Sequence, residues 1–262
     1  MPDCSARNVP CWVDLGTPDL STATRFYTQL FGWQAQVSPE PAAHGYTTFT
    51  KDGRTVAGAG PLVGDGRRPA WSTYVTTENA DETARRVDAA GGIVLVSPFD
   101  VLDQGRMAVV LDPTGAPISI WQPRAMTGAE LVNAPGAVCW YELATRAPEK
   151  AKEFYSTVFG WGIRETAYGP VPYTEWLVNG TSIAGMMPMV NGSHWAPDLP
   201  PHWMVYFAVT DCDATAARAA KLGGMVAIAP TDIPQGRVAV INDPQGAFFS
   251  VIQPRRPTAP PR

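Results

Sequence analysis

The 262-residue sequence predicts an α+β protein made of four βαβββ units in two tandem modules, and three observations carry that expectation. First, the chain is written twice. Trp12-Val-Asp-Leu-Gly-Thr, Phe26-Tyr27 and Leu30-Phe31-Gly32-Trp33 return as Trp140-Tyr-Glu-Leu-Ala-Thr, Phe154-Tyr155 and Val158-Phe159-Gly160-Trp161. Second, the later part of each copy repeats as well: Gln104-Gly-Arg through Asp112-Pro-Thr-Gly-Ala, ending Trp121-Gln122-Pro123, recurs as Gln235-Gly-Arg through Asp243-Pro-Gln-Gly-Ala, ending Ile252-Gln253-Pro254. Third, the order strand, helix, strands restarts once within each copy. A repeat of about 130 residues is a duplicated domain, because solenoid and propeller repeats are far shorter.

The elements follow in order. Pro10 to Leu15 and Val138 to Leu143 alternate at the period of two expected of a strand. The next segments are helical, with Leu20, Ala23, Tyr27 and Leu30, then Ala151, Tyr155 and Val158, on one face, so Phe26, Tyr27, Phe154 and Tyr155 are expected to pack a helix onto a sheet. Thr17-Pro and Thr145-Arg-Ala-Pro read as the capped starts, and Gly32 and Gly160 stand where a C-cap glycine belongs. Strand-like runs come next: Gly45 to Lys51, Thr55 to Ala59, Tyr173 to Val178 and Ser182 to Met187. The pattern restarts with strands at Trp71 to Thr76 and Trp203 to Val209. Helices follow over Ala80 to Ala90 and Asp213 to Leu222, capped by Asn79 and Asp211 and stopped by Gly91-Gly92 and Gly223-Gly224. The expected organisation is a first module over 1–125, a linker over 126–136, a second module over 137–256 and a Pro-rich tail over 257–262.

Composition narrows the function. Hydrophobic residues make up 45% of the chain and charged residues 17%, which suits well-buried cores. A net charge of -4 gives no excess for phosphate backbones or anionic lipid, so nucleic acid and membrane are not expected partners. The start lacks the apolar core of a signal peptide, and a cytoplasmic location is expected. Cys4, Cys11, Cys139 and Cys212 have no CxxC spacing and read as reduced thiols. No GxSxG, HExxH or P-loop is present.

The Phe-Tyr and Phe-Gly-Trp of the first helices and the Asp-Pro-x-Gly turns (Asp112 to Gly115; Asp243 to Gly246) together resemble the vicinal oxygen chelate superfamily, which includes glyoxalase I, extradiol dioxygenases, fosfomycin resistance proteins and bleomycin-binding proteins. The resemblance runs from about Pro10 to Pro254. More closely, the chain looks like two-domain actinobacterial members, among them a mycobacterial secreted antigen and accessory proteins of aromatic polyketide antibiotic pathways. What it implies is a glyoxalase-like module in each copy, with cup-shaped mixed sheets. In metal-using members, strand residues inside the cup converge on one divalent ion. The matching positions here are Trp12 and Trp140, Ser72 and Met204, Ser119 and Ser250, and the stretches Val56-Ala-Gly-Ala and Ile183-Ala-Gly-Met. Indole, thioether and isolated hydroxyls are poor ligands for such ions, so no metal and no other cofactor is expected.

The expected ligand-binding residues are Trp12, Ser72, Tyr74, Ser119, Trp121, Trp140, Met186, Met204, Tyr206 and Ser250. An apolar, aromatic cup with a few hydroxyls suits a flat hydrophobic ligand, unless the rings fill the cup themselves. Asp14 and Glu142, two residues beyond the repeated Trp, point into the same cup by strand alternation and are the candidate general bases. Arg106 and Arg237 either clamp a ligand anion or pair with an acid across the copies, with pairing favoured. His44, His194 and His202 have no counterpart in the other copy. The leading expectation is a metal-free protein binding a hydrophobic or aromatic small molecule, for sequestration or to assist a biosynthetic partner enzyme, as monomer or homodimer. The alternatives are a metal-independent isomerase, cyclase or lyase, and metal-dependent glyoxalase or dioxygenase chemistry.

Overall fold

A computed structural model of the chain describes residues 6–62, 68–168, 171–190 and 195–255; the expected tail over 257–262, Cys4 and His194 lie outside them. The first sheet is built from β1 (Pro10–Thr17), β2 (Gln34–Val37), β3 (Thr47–Lys51), β4 (Arg54–Pro61), β5 (Ala70–Thr76), β6 (Ile93–Val101), β7 (Gly105–Leu111) and β8 (Pro117–Pro123). Helices α1 (Leu20–Phe31) and α2 (Ala80–Ala89) interrupt this series. The second sheet repeats it with β9 (Val138–Thr145), α3 (Pro148–Phe159), β10 (Gly162–Tyr168), β11 (Val171–Val178), β12 (Thr181–Pro188), β13 (His202–Ala208), α4 (Cys212–Lys221), β14 (Met225–Ile233), β15 (Gly236–Asn242) and β16 (Phe248–Pro254). The strand orders β2-β3-β4-β1-β5-β8-β7-β6 and β10-β11-β12-β9-β13-β16-β15-β14 are identical, mixed, and open rather than closed into barrels. Four βαβββ units are therefore present. Among the described residues no helix is long and apolar enough to cross a membrane.

Local chemistry explains the boundaries. Gly32 and Gly160 end α1 and α3 in the left-handed region, at φ 72° and 70°, which a Cβ disfavours. Asn79 and Asp211 cap α2 and α4 by accepting the N–H of Glu82 and Ala214. The starts of the first helices differ from expectation. Asp19 caps α1 through the N–H of Thr22, because β1 continues through Thr17, whose carbonyl takes the N–H of Leu62. Ala147 stands at the N-cap of α3 without a side-chain bond, and Thr145 accepts its N–H instead.

By compactness the chain divides into two units. One comprises Met1–Asp14, Ser72–Glu130 and Trp140–Val205; the other comprises Leu15–Trp71, Leu131–Cys139 and Tyr206–Arg262. Each is centred on a buried tyrosine. In the first, Tyr155 stacks on Trp161 with centroids 5.1 Å apart, accepts the indole N–H of Trp203 at 2.8 Å and donates to Asp112 at 2.9 Å. Asp112 also accepts the N–H groups of Thr114 and Ala116, closing the Asp-Pro-x-Gly turn. In the second, Tyr27 stacks on Trp33, accepts the indole N–H of Trp71 at 3.0 Å and donates to Asp243 at 3.1 Å. Asp243 accepts the N–H groups of Gln245 and Ala247. Each core thus joins the helix of one repeat to the turn of the other. Burial, with the facing carboxylate, holds both phenols well above the usual tyrosine range.

Candidate functional site

Strand alternation puts the aromatic core on the helix side of each sheet and the candidate site residues on the other face. On β1 and β5, Trp12, Asp14, Ser72 and Tyr74 share that cup face, and the Tyr74 hydroxyl donates to Asp14 at 2.9 Å. Tyr74 lies opposite Ser119 in the parallel β5–β8 ladder. The Trp121 indole meets the Tyr74 ring edge-on at 6.3 Å and donates to the Met126 carbonyl at 2.9 Å. A Cβ at Gly105 would collide with the Trp121 ring, so the indole lies flat against β7 backbone. Trp12 is 3% exposed, Trp121 3% and Tyr74 7%, so in this module the rings fill their own cup, while Asp14 and Ser72 stay partly exposed.

In the second module, β9, β11 and β12 carry a polar chain. The Trp140 indole donates to the Tyr173 hydroxyl at 2.9 Å, and that hydroxyl donates to Glu142 at 2.8 Å. Glu142 is 8% exposed, whereas Trp140 remains partly exposed. Tyr173 reaches this position because Gly185 lies directly across from Glu142, and any side chain there would overlap the phenol. Beside it, Glu175 is bound by Ser182 and Arg164; burial raises its pKa, but those two partners outweigh burial and hold it below the usual range.

Several expectations change. Met186 pairs with Leu143 rather than Glu142, so it faces the helix side, buried in the core, and does not line the cup. Met204 alternates with the buried Trp203 and stays on the cup face; Tyr206 and Ser250 sit opposite one another in the β13–β16 ladder, within the other compact unit. Arg106 and Arg237 do pair with acids, but inside their own halves. Arg106 binds Asp81 and Asp100, and Arg237 binds Asp213 and Asp232, so each arginine ties the first turn of a second helix to the neighbouring hairpin. Gln122 and Gln253 accept the N–H groups of Ala80 and Cys212, the first residues of α2 and α4. Burial pushes Cys139 up to about 12 and Cys212 up to about 11, which keeps both as thiols at neutral pH. His202 sits against the Pro200 carbonyl, and burial lowers its pKa.

The residues do not fit the divalent ion that the resemblance implies. The positions facing the cup carry indole, hydroxyl or thioether groups, and the remaining position in each copy is a glycine, Gly58 or Gly185, against which the hydroxyl of Tyr46 or Tyr173 lies. Among the described residues no three His, Cys, Asp or Glu side chains gather as a metal would require. A surface hollow of about 350 Å³ lies elsewhere, between Arg7, Thr77, Glu78 and Gln122, and holds none of the candidate residues. Sequence reasoning missed Tyr173, Tyr46, Glu175 and Arg164. The signal available was a glycine in mid-strand, which marks close approach by another group.

Comparison with known proteins agrees with this architecture. Residues 11–120 and 137–251 match the Glyoxalase/Bleomycin resistance protein/Dioxygenase superfamily. The chain is 42% identical to the anthracycline biosynthesis protein DnrV of Streptomyces peucetius, over 95% of this chain and 94% of that one. It is also 42% identical to CFP32 of Mycobacterium bovis, over 95% of each chain. Among solved structures, the Mn(II)-bound glyoxalase from Novosphingobium aromaticivorans superposes with a TM-score of 0.66 at 17% identity, covering 94% of this chain and 82% of that one. The 2,3-dioxygenase LapB from Pseudomonas sp. KL28 gives 0.64 at 13% identity, covering 98% and 97%. With two family matches, four βαβββ units and near-full-length relatives in agreement, the chain belongs to the glyoxalase/bleomycin resistance protein/dioxygenase superfamily.

Proposed function

We propose that this protein binds a hydrophobic, partly aromatic small molecule of polyketide type without a divalent metal, either to sequester it or to present it to a biosynthetic enzyme. The observation that carries the reading is the Trp140–Tyr173–Glu142 chain. It commits the second module's cup acid to a phenol, which in turn takes the N–H of the indole standing at a metal-ligand position. A carboxylate already engaged by a phenol, beside indole and glycine, is a poor anchor for a cation, whereas partly exposed indole is a good surface for a flat ring. The relatives named for anthracycline biosynthesis support a polycyclic aromatic ligand. A metal-independent acid–base role is the second reading. It is favoured by Asp14, a partly exposed carboxylate held in one orientation by Tyr74.

The test is a titration of the purified protein with a dihydroxyanthraquinone, followed by Trp fluorescence and repeated after exhaustive chelation. Quenching that saturates in the micromolar range and is unchanged by chelation is expected. Absence of quenching up to millimolar ligand, or a requirement for stoichiometric metal, would overturn the reading. Turnover of any substrate that disappears in Asp14→Asn would move the assignment to the second reading.

A further inference from the structure

We propose that the first module docks, face to face, onto the first module of a second copy of this chain, through the cup-side rim of its β6–β7 hairpin. The proposal is independent of any bound ligand. It begins with an uneven distribution of carbon surface. Ile93, Leu95, Phe99 and Leu102 are between 42% and 57% exposed, four large apolar side chains within ten residues. No other stretch of the described residues exposes as many.

The register gathers three of them on one face. Ile93 pairs with Leu111 and Phe99 with Met107, and these β7 partners alternate with the buried Ala108 and Val110. Between Val94 and Val96 the register shifts, which sets Leu95 and Val96 together across from Val109 and adds a leucine to the same face. Leu102 stands at the tip of the hairpin at φ 49°, a left-handed backbone that a Cβ disfavours. The second module shows that the hairpin does not need these groups in order to form. Its register is the same, with Met225 opposite Asn242, Ile228 opposite Val240 and Thr231 opposite Val238. Yet Leu95 and Phe99 answer to Ala227 and Thr231, and Pro234 stands where the first module has Leu102-Asp103. The large apolar groups therefore serve a contact outside the hairpin.

Three properties point to a second copy as the occupant. The first is charge. Asp100, the one charged residue of β6, is already bound on the helix side by Arg106 and Arg124, so two such faces meet without opposing like charges and call for no partner of opposite sign. The second is the edge. Pro98 and two register shifts interrupt β6 and blunt it against strand addition, which leaves the face, not the edge, to make the contact. The third is size. The four side chains, with the partly exposed Met107 and Val109, offer on the order of 500 Å² per copy, the scale of the largest apolar patch on a typical monomer. Two such faces reach the roughly 1,000 Å² at which a specific, reversible contact begins. With Leu95, Phe99 and Leu102 confined to the first module, the pairing is isologous and closes at two copies.

Sedimentation velocity of the full-length protein, without ligand, tests the proposal over about 1 to 200 µM, the range expected for a contact of this size. The wild type should pass from monomer to dimer. Leu95→Asp should raise the dimer dissociation constant by about tenfold or more, because the contact would bury an unpaired carboxylate. The double variant Leu95→Ala/Phe99→Thr, which copies the second module, should raise it by about tenfold. Its residues already occupy the matching places in a folded hairpin, so it keeps the test decisive if thermal melts show that Leu95→Asp folds poorly. Val37→Asp, at a 61% exposed position on the edge strand β2, should leave the dissociation constant at its wild-type value. A wild type that stays monomeric at about 200 µM or assembles beyond the dimer would overturn the proposal. So would wild-type dimerisation in the folded double variant, or equal weakening by Val37→Asp. None of these outcomes bears on the binding function proposed above, which is measured with ligand.

Discussion

The two faces of each sheet have fared differently since the duplication. On the helix side the copies are interchangeable: Tyr27 between Trp71 and Asp243 matches Tyr155 between Trp203 and Asp112, with the same donors in the same order. On the cup side they diverge. Asp14 answers to Glu142, Ser72 to Met204 and Trp121 to Ile252, so the acid lengthens, a hydroxyl gives way to a thioether and an indole to a branched alkyl group. The difference teaches what each face does. A buried carboxylate serving a phenol and a turn at once tolerates no change that leaves one of them unpaired, whereas a face open to solvent or ligand carries no such constraint.

If the helix side is the shared scaffold, breaking it gives the largest effect. Asp112→Ala strips partners from the Tyr155 hydroxyl, two backbone N–H groups and the Thr114 hydroxyl; Asp243→Ala strips the Tyr27 hydroxyl and two N–H groups. Each should cost about 3 kcal/mol or more, with Asp112→Ala the more severe, and thermal melts should fall by on the order of 10 °C. Equal melts for wild type and either variant would show that the turns hold without their carboxylates.

The same scaffold predicts alkaline instability. Both phenols are raised in the folded state, so above the ordinary tyrosine value of about 10 the unfolded chain loses protons that the native state keeps. Stability is then fully present below about pH 10 and is lost as pH rises toward the folded values, by about 1.4 kcal/mol per pH unit per tyrosine. Denaturant midpoints measured from pH 8 to 11 should fall steeply in the wild type. In the double variant Tyr27→Phe/Tyr155→Phe they should start lower and fall less.

Much of the helix side is legible in the sequence, because its signals are local or duplicated. The glycines ending α1 and α3, the caps Asn79 and Asp211 and the apolar spacing around Tyr27 and Tyr155 each act within one turn of helix. What stays hidden is set by register and by distant partners. Tyr27 finds its acid 216 residues away. Met186 looks like a cup residue until the parallel register places Leu143, not Glu142, beside it. Thr17 looks like a cap because nothing local says that β1 runs two residues further than its alternation. The edge strand β2, Gln34–Val37, alternates over only four residues and is exposed throughout, too short a pattern to announce a strand.

On the cup side the effects should be smaller and unequal. Tyr173→Phe leaves the nearly buried Glu142 and the Trp140 N–H without their shared partner, and should cost about 2 kcal/mol. Tyr74→Phe removes one bond to the partly exposed Asp14, which water can replace, and should cost about 1 kcal/mol or less. Equal losses in urea denaturation would mean that burial of the acid does not set the worth of the phenol that binds it.

The smallest effect should also be the most even. Gln122 and Gln253 accept the first N–H of α2 and α4 at 3.0 and 3.1 Å, one position from the Asn79 and Asp211 caps. Each satisfies a donor that a helix start otherwise leaves unpaired. Gln122→Ala and Gln253→Ala should therefore each cost about 1 kcal/mol, and should agree within about 0.5 kcal/mol of one another. Agreement is the informative outcome, because these glutamines follow directly after Trp121 and Ile252, the pair that sets the two cups apart. Matching losses one residue away from that exchange would confine its effect to the cup face, a single step of strand alternation away. Unequal losses would mean that the change from indole to isoleucine is felt through the strand, on the helix side as well.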